Sequence, residues 1–302
     1  MQNVYESVDA NKRKSWLIMI LFVVFVTVVA WVLAQALGFS GSGFVGFALI
    51  LSGCASLGSY WWSDKIILAI SGARPASKKQ DFDFFTVTEN LVMAARLPMP
   101  KLYVIDDTAM NAFATGRDPK HAVVCATTGL LDNLNRTELE GVVGHELTHV
   151  RNYDTRLMSI VAILVGMVTL LADWFLRNSF FGRRNRDEEG GKAGAILFVL
   201  AIIMALLSPL IARLIQLAIS RREEFSADAG SALLTRQPSG LILALSKLAT
   251  DKEPLEAANK ATAHLYIVNP LKNTHSGIGW FASLFATHPP IEQRIKALRE
   301  MM

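Results

Sequence analysis

Apolar residues dominate four stretches of this chain and alternate with polar ones elsewhere. From Ser15 to Ser63 there is no Asp, Glu, Lys or Arg. The stretch is too long for one membrane crossing and is broken by the turn-rich Gly38-Phe39-Ser40-Gly41-Ser42-Gly43. Two segments of about 20 residues result, Trp16–Leu37 and Phe44–Trp62, each near the length that crosses a bilayer core. Two further apolar runs, Leu157–Ala172 and Ala193–Ala212, follow later. Between these pairs the pattern is that of a water-facing fold. Asp81–Arg96 predicts an amphipathic helix, with Phe84, Val87, Leu91 and Val92 at helical spacing, ended by Leu97-Pro98-Met99-Pro100. Lys101–Ile105 and His121–Thr127 predict short strands, and Asn111–Gly116 a third between them. Thr137 and Glu140 stand at capping-box spacing and predict a helix through Val150, continuing toward the third apolar run. Helices are also expected at Ser226–Leu234, Ser239–Thr250 and Pro290–Met301, with a loop over Gly277–Thr287.

Charge placement orients the first pair. Lys12, Arg13 and Lys14 precede it, its connecting loop is uncharged, and Lys65 follows it. By the positive-inside rule both ends face the cytoplasm. The bland alternative is a cleaved leader. The apolar core is longer than the usual leader core and a second span follows at once, which disfavours that reading. The loop Arg177–Lys192 between the later runs holds five basic residues. That opposes a full crossing of both, so crossing and re-entrant arrangements stay open. Either way, the parts before and after this pair share one side.

Composition narrows the class. The 302 residues are 52% hydrophobic and 19% charged, which excludes a disordered or fibrous chain. Two cysteines give no disulfide framework. A net charge of +4 is explained by topology and gives no reason to invoke nucleic acid.

The chemistry is concentrated in His145-Glu146-Leu147-Thr148-His149. On a helix the two histidines lie one turn apart on one face and present two imidazoles to a Zn²⁺. Glu146 beside them is placed to take a proton from water. A catalytic zinc needs a third protein ligand and one open position. Arg222-Glu223-Glu224-Phe225-Ser226-Ala227-Asp228 offers it. Glu224 and Asp228, four apart, share a helix face: one suits a ligand, the other an acceptor for a ligand histidine's ring N–H. Glu223 points away and reads as a surface charge paired with a nearby arginine. The bland reading of the cluster is a solvated juxtamembrane helix.

The sequence resembles the HtpX family of membrane zinc endopeptidases, related to the CAAX prenyl endopeptidases. His145–His149, Glu224–Asp228, Asn111-Ala112-Phe113-Ala114-Thr115-Gly116 and Thr287-His288-Pro289-Pro290 carry the resemblance, in the family's order along the whole chain. It implies a mainly α-helical integral membrane protein with a small β-sheet, a gluzincin-like protease domain fused to about four membrane segments. The implied parts are a transmembrane hairpin (1–63), a cytoplasmic part carrying HExxH (64–156), a second membrane pair (157–212) and a cytoplasmic part carrying the third ligand (213–302). It implies one Zn²⁺ per chain on His145, His149 and Glu224, with Glu146 as general base and Asp228 behind a ligand histidine. Asn111 and Ala112 match an edge strand that pairs with substrate backbone. His288 matches a residue that stabilises the oxyanion, supported by Arg294. The implied activity is hydrolysis of damaged or misfolded membrane proteins on the cytoplasmic face of the bacterial inner membrane, a stress-linked quality control. Protein substrates and the lipid bilayer are the implied partners. A prenyl-protein endopeptidase is the nearest alternative, but its relatives have more spans. A transporter is disfavoured because the spans of this chain lack internal acidic or basic residues apart from Asp173 and Arg213 near their ends, so no ion pathway is visible, and a silent scaffold would not need Glu146. Gating is expected at Phe180–Gly191 or Asp251–Ser276.

Overall fold

A helix of 33 residues, α1 (Val4–Ala36), opens the chain in the computed structural model, which describes residues 4–36, 43–181, 220–251, 253–256, 262–268 and 289–302. The sequence places the first span's start at Trp16, but no Gly or Pro interrupts Val4–Lys14, and the helix begins a full three turns earlier. One face of α1, with Ile18, Met19 and Phe22, is buried, while Leu17, Ile20, Leu21 and Val24 on the other are exposed. Apolar surface all round a helix suits a lipid environment. The stretch Ser7–Trp31 is long and apolar enough to cross a membrane. Helix α2 (Gly43–Trp61) exposes Phe47, Leu49, Ile50 and Leu51. It bends by 84° into α3 (Ser63–Ile70), so the two make one further span only if taken together. Trp61 and Trp62 mark the bend and are half exposed. Arg117 lies 4.7 Å from the Trp61 ring and Arg156 4.6 Å from the Tyr60 ring, an arrangement suited to a membrane–water boundary.

The sheet has four strands, β1 (Arg74–Pro75), β2 (Lys101–Ile105), β3 (Ala112–Thr115) and β4 (Val123–Thr127), in the order β1-β2-β4-β3. β2 and β4 are parallel, while β1 and β3 run antiparallel to their neighbours. β3 is therefore an edge. Side chains alternate across the sheet as the two-residue period requires. Val124 and Ala126 join one core, and Phe113 and Cys125 the other. The first core packs the sheet on α4 (Phe82–Ala95), α6 (Arg136–Asn152), α9 (Pro238–Thr250) and α10 (Ile291–Arg299). The second packs it on α1 and on α7 (Asp154–Phe181). Leu157, Ile160, Val161 and Leu164 of α7 are fully buried there, so the leading half of the third apolar run is protein core. The fourth, 193–212, lies outside the described residues.

Three local expectations differ. The short α5 (Thr128–Asn133) precedes α6, whose cap is Asn135 with Glu138, not Thr137 with Glu140. The Asn135 side chain accepts from the Glu138 N–H at 3.0 Å, and the Glu138 carboxylate accepts from the Asn135 N–H at 2.8 Å. Asparagine in extended backbone reaches that N–H, whereas Thr137 is already inside the helix. α6 does not run on into α7: Tyr153 adopts φ 63° and breaks them apart. Finally, α8 (Arg221–Thr235) starts five residues before Ser226, because Ser220 and Glu223 form its capping box. Among the described residues Glu223 pairs with Lys14 of α1 at 3.0 Å rather than with an arginine.

Candidate active site

Helices α6 and α8 approach closely because small residues line their contact. A Cβ on Gly230 would sit 2.4 Å from a Thr148 methyl, and one on Gly144 2.9 Å from the Ser231 hydroxyl. The Ser231 hydroxyl donates to the Gly141 carbonyl at 2.6 Å. This packing sets Glu224 of α8 against the HExxH face of α6. One donor atom each from His145, His149 and Glu224 lies within 4.8 Å of the others, and all three residues are buried. Among the described residues this is the group of His, Cys, Asp and Glu donors that converges in this way.

The outer partners decide which ring nitrogens face inward. His145 Nδ1 lies 2.9 Å from Asp228 and His149 Nδ1 2.8 Å from Asp154. A carboxylate at each Nδ1 holds the proton there and turns each Nε2 lone pair toward the centre. The two Nε2 atoms stand 3.1 Å apart. Glu224 stands 3.8 Å from one and 3.5 Å from the other. Two lone pairs cannot face each other at that distance without a positive charge between them. Burial pulls both imidazoles down, and His145 falls to about 4, with the Arg294 charge adding. For His149 the Asp154 and Glu224 carboxylates outweigh burial and hold it well above its usual value. The donor set suits a divalent cation, which two imidazole nitrogens and one carboxylate would hold.

Glu146, next along α6, is buried, and burial pushes its carboxyl up to about 7, with Glu224 adding. The Ala114 backbone of β3 works the other way and holds the carboxyl down. Arg294 of α10 is fully buried and donates to both Asp228 oxygens, at 2.9 and 2.7 Å. Burial would raise Asp228, but Arg294 and the His145 ring hold it below the usual carboxylate range. Arg294 also lies 3.4 Å from Glu224 and donates to the Ile267 carbonyl at 3.1 Å.

Asn111 and Ala112 lie at the start of the β3 edge. Asn111 donates to the Val268 carbonyl at 2.9 Å, and the Ala112 carbonyl accepts from the Ile267 N–H at 2.9 Å. His145, Glu146, His149, Glu224, Asp228 and Arg294 are thus gathered around one centre, Asn111 and Ala112 connect to it through Val268 and Ile267, and His288 lies outside the described residues. Sequence reasoning missed Asp154 and Ile267. Five residues past His149 on a continuous helix is about 140° away. Only the break at Tyr153 turns Asp154 back beneath the ring.

Residues 78–302 match peptidase family M48. Proteins named Protease HtpX homolog are similar along nearly the whole length. The one from Dictyoglomus thermophilum is 42% identical over 98% of this chain and 94% of its own. That from Tropheryma whipplei is 42% identical over 99% and 98%, and that from Streptococcus uberis 38% over 99% and 100%. Among solved structures, Ste24p from S. mikatae aligns with 17% identity and a TM-score of 0.49 over 89% of this chain, which spans 61% of that structure. With a family match over most of its residues and full-length relatives near 40% identity, the chain belongs to peptidase family M48 and is a membrane metalloprotease of the HtpX kind.

Proposed function

We propose that this metalloprotease holds one zinc through His145, His149 and Glu224 and cuts damaged or misfolded membrane proteins on the cytoplasmic side of the bacterial inner membrane. The observation that carries the reading is the pair of inward Nε2 atoms 3.1 Å apart, each ring backed by a carboxylate, with Glu224 facing both. Zinc bound there supplies Lewis acidity toward the scissile carbonyl and toward water. Glu146 accepts the proton as water oxygen adds to the carbonyl carbon, and delivers it to the amide nitrogen as the C–N bond breaks. Asp228 and Asp154 hold the ligand rings at Nδ1. Arg294 keeps the Asp228 carboxylate charged and, with His288, supports the oxyanion.

The β3 edge receives substrate backbone in extended form, through Asn111 and the outward carbonyl of Ala112. In support, the chain's own residues 266–268 already use that edge. The Ile267 N–H bonds to Ala112 and its carbonyl to Arg294, as an extended peptide would. This segment lies within the stretch 251–276 expected to gate access, and substrate displaces it. The N-terminal hairpin (1–63) and residues 157–212 form about four membrane segments, and 64–156 and 213–302 join as one cytoplasmic protease. Packing of α6 on α8 and α9 in a single core supports that union.

The test is metal content and casein cleavage of the detergent-purified chain. Glu146→Gln keeps about one zinc per chain and loses cleavage by about 10²- to 10⁴-fold, the worth of a general base. Equal cleavage in wild type and variant, or no metal in either, overturns the reading.

A further inference from the structure

The first turns of α1 do more than lead into the membrane. Asn11 is 1% exposed, unusual for an amide that directly precedes Lys12, Arg13 and Lys14 in the first turns of α1. Its side-chain amide donates to Asp154 Oδ1 and, at 3.2 Å, to the Asn152 carbonyl. Asp154 is itself 2% exposed, and its other oxygen holds His149 Nδ1 at 2.8 Å. One carboxylate is thus divided between a membrane helix and a ligand imidazole. Two contacts beside it fasten the same turns. Lys12 lies 4.6 Å from the Tyr153 ring, at the break between α6 and α7. Lys14 bonds Glu223 at 3.0 Å, next to Glu224 at the start of α8.

We infer that Asn11 is a positioning residue of the metal centre, acting through Asp154 on His149, so that α1 sets metal affinity as well as anchoring the chain. The inference rests on the reading that His145, His149 and Glu224 hold zinc. The chemistry of the residue supports it. Asp154 needs one more donor once His149 has taken its Oδ2, because a buried carboxylate oxygen without a partner is costly. A neutral amide supplies two N–H groups and adds no charge near the cation. Lysine would set a positive charge against the site, and aspartate would repel Asp154. A residue that merely filled space between α1 and α7 would not need donors at this spot. Outer partners of ligand histidines fix ring orientation, and their loss weakens metal binding.

The experiment measures zinc Kd for the full chain in detergent, by competition with a chromogenic chelator, with circular dichroism as the check on folding. Asn11→Ala and Asn11→Asp bind zinc about 10- to 100-fold more weakly. Asn11→Ser, which keeps one hydroxyl donor, lies between them and wild type. Thr27→Ala, further along α1 and remote from Asp154, binds as wild type. The exchange Asn11→Asp with Asp154→Asn recovers part of the loss. The amide nitrogen placed at 154 donates to the carboxylate placed at 11, and its oxygen still accepts from His149. Wild-type affinity in folded Asn11→Ala and Asn11→Asp overturns the inference and leaves the zinc reading standing. So does an exchange variant no better than either single change. A wild-type chain that takes up no zinc overturns both.

Discussion

Each histidine proposed as a zinc ligand has two nitrogens with separate tasks. Nε2 faces the centre and Nδ1 is held by a carboxylate, so the quality of the site depends on Asp228 and Asp154 as much as on the ligands. Asp228 has a second duty, since it neutralises the fully buried Arg294. Asp228→Ala leaves that guanidinium without its main partner. The expected cost is about 3–5 kcal/mol, the penalty for breaking a buried pair from one side. It is read as a drop in Tm of the metal-free protein. Asp228→Asn, which keeps the shape and an acceptor, costs less. A Tm in Asp228→Ala equal to wild type would show that Arg294 finds another anion. At this scale much was legible beforehand. HExxH places two imidazoles by helical period alone, and Glu224 with Asp228 stand at the same spacing. Which of those two acids faces the metal was not legible from spacing, because both share one helix face.

Helix contacts carry the site's assembly. Gly230→Ala forces a methyl into Thr148 one residue before His149, and overpacking of this kind costs about 1–3 kcal/mol. Cleavage and zinc affinity fall together, because Glu224 moves away with α8. Unchanged affinity would mean that the α6–α8 contact relaxes without moving the ligand. The strap over β3 is tested by Ile267→Pro, which removes the N–H that bonds Ala112. One hydrogen bond is worth about 0.5–1.5 kcal/mol net, so basal casein cleavage rises by about two- to tenfold at constant zinc content. Cleavage that stays level or falls in a folded variant rejects the strap. Elements with long periodic patterns, α4, α6 and α9, were readable from sequence. The two-residue β1 and the eight-residue α3 were not, since strands and helices so short carry too little periodicity and are held by their neighbours.

In the whole molecule, the sheet separates two cores, and α6 carries the candidate metal-binding histidines alongside Glu146, which lies near the β3 edge proposed to receive substrate. Metal removal is the global test. A ligand present at 100 times its Kd stabilises the folded state by about 2.7 kcal/mol. Chelation therefore lowers Tm and abolishes cleavage, and zinc restores both. A Tm indifferent to chelator would place the metal outside the folded core. Local pattern in the sequence determined the apolar segments, the protease motif and the acids that accompany it, because spacing along a helix or strand fixes which side chains share a face. Tertiary structure alone decided what sits behind the ligands and across the cleft. Asn11, Asp154 and Ile267 act over long loops or across a helix break. Their partners are chosen by packing of α1, α6, α7 and the β3 edge, and sequence distance records none of it.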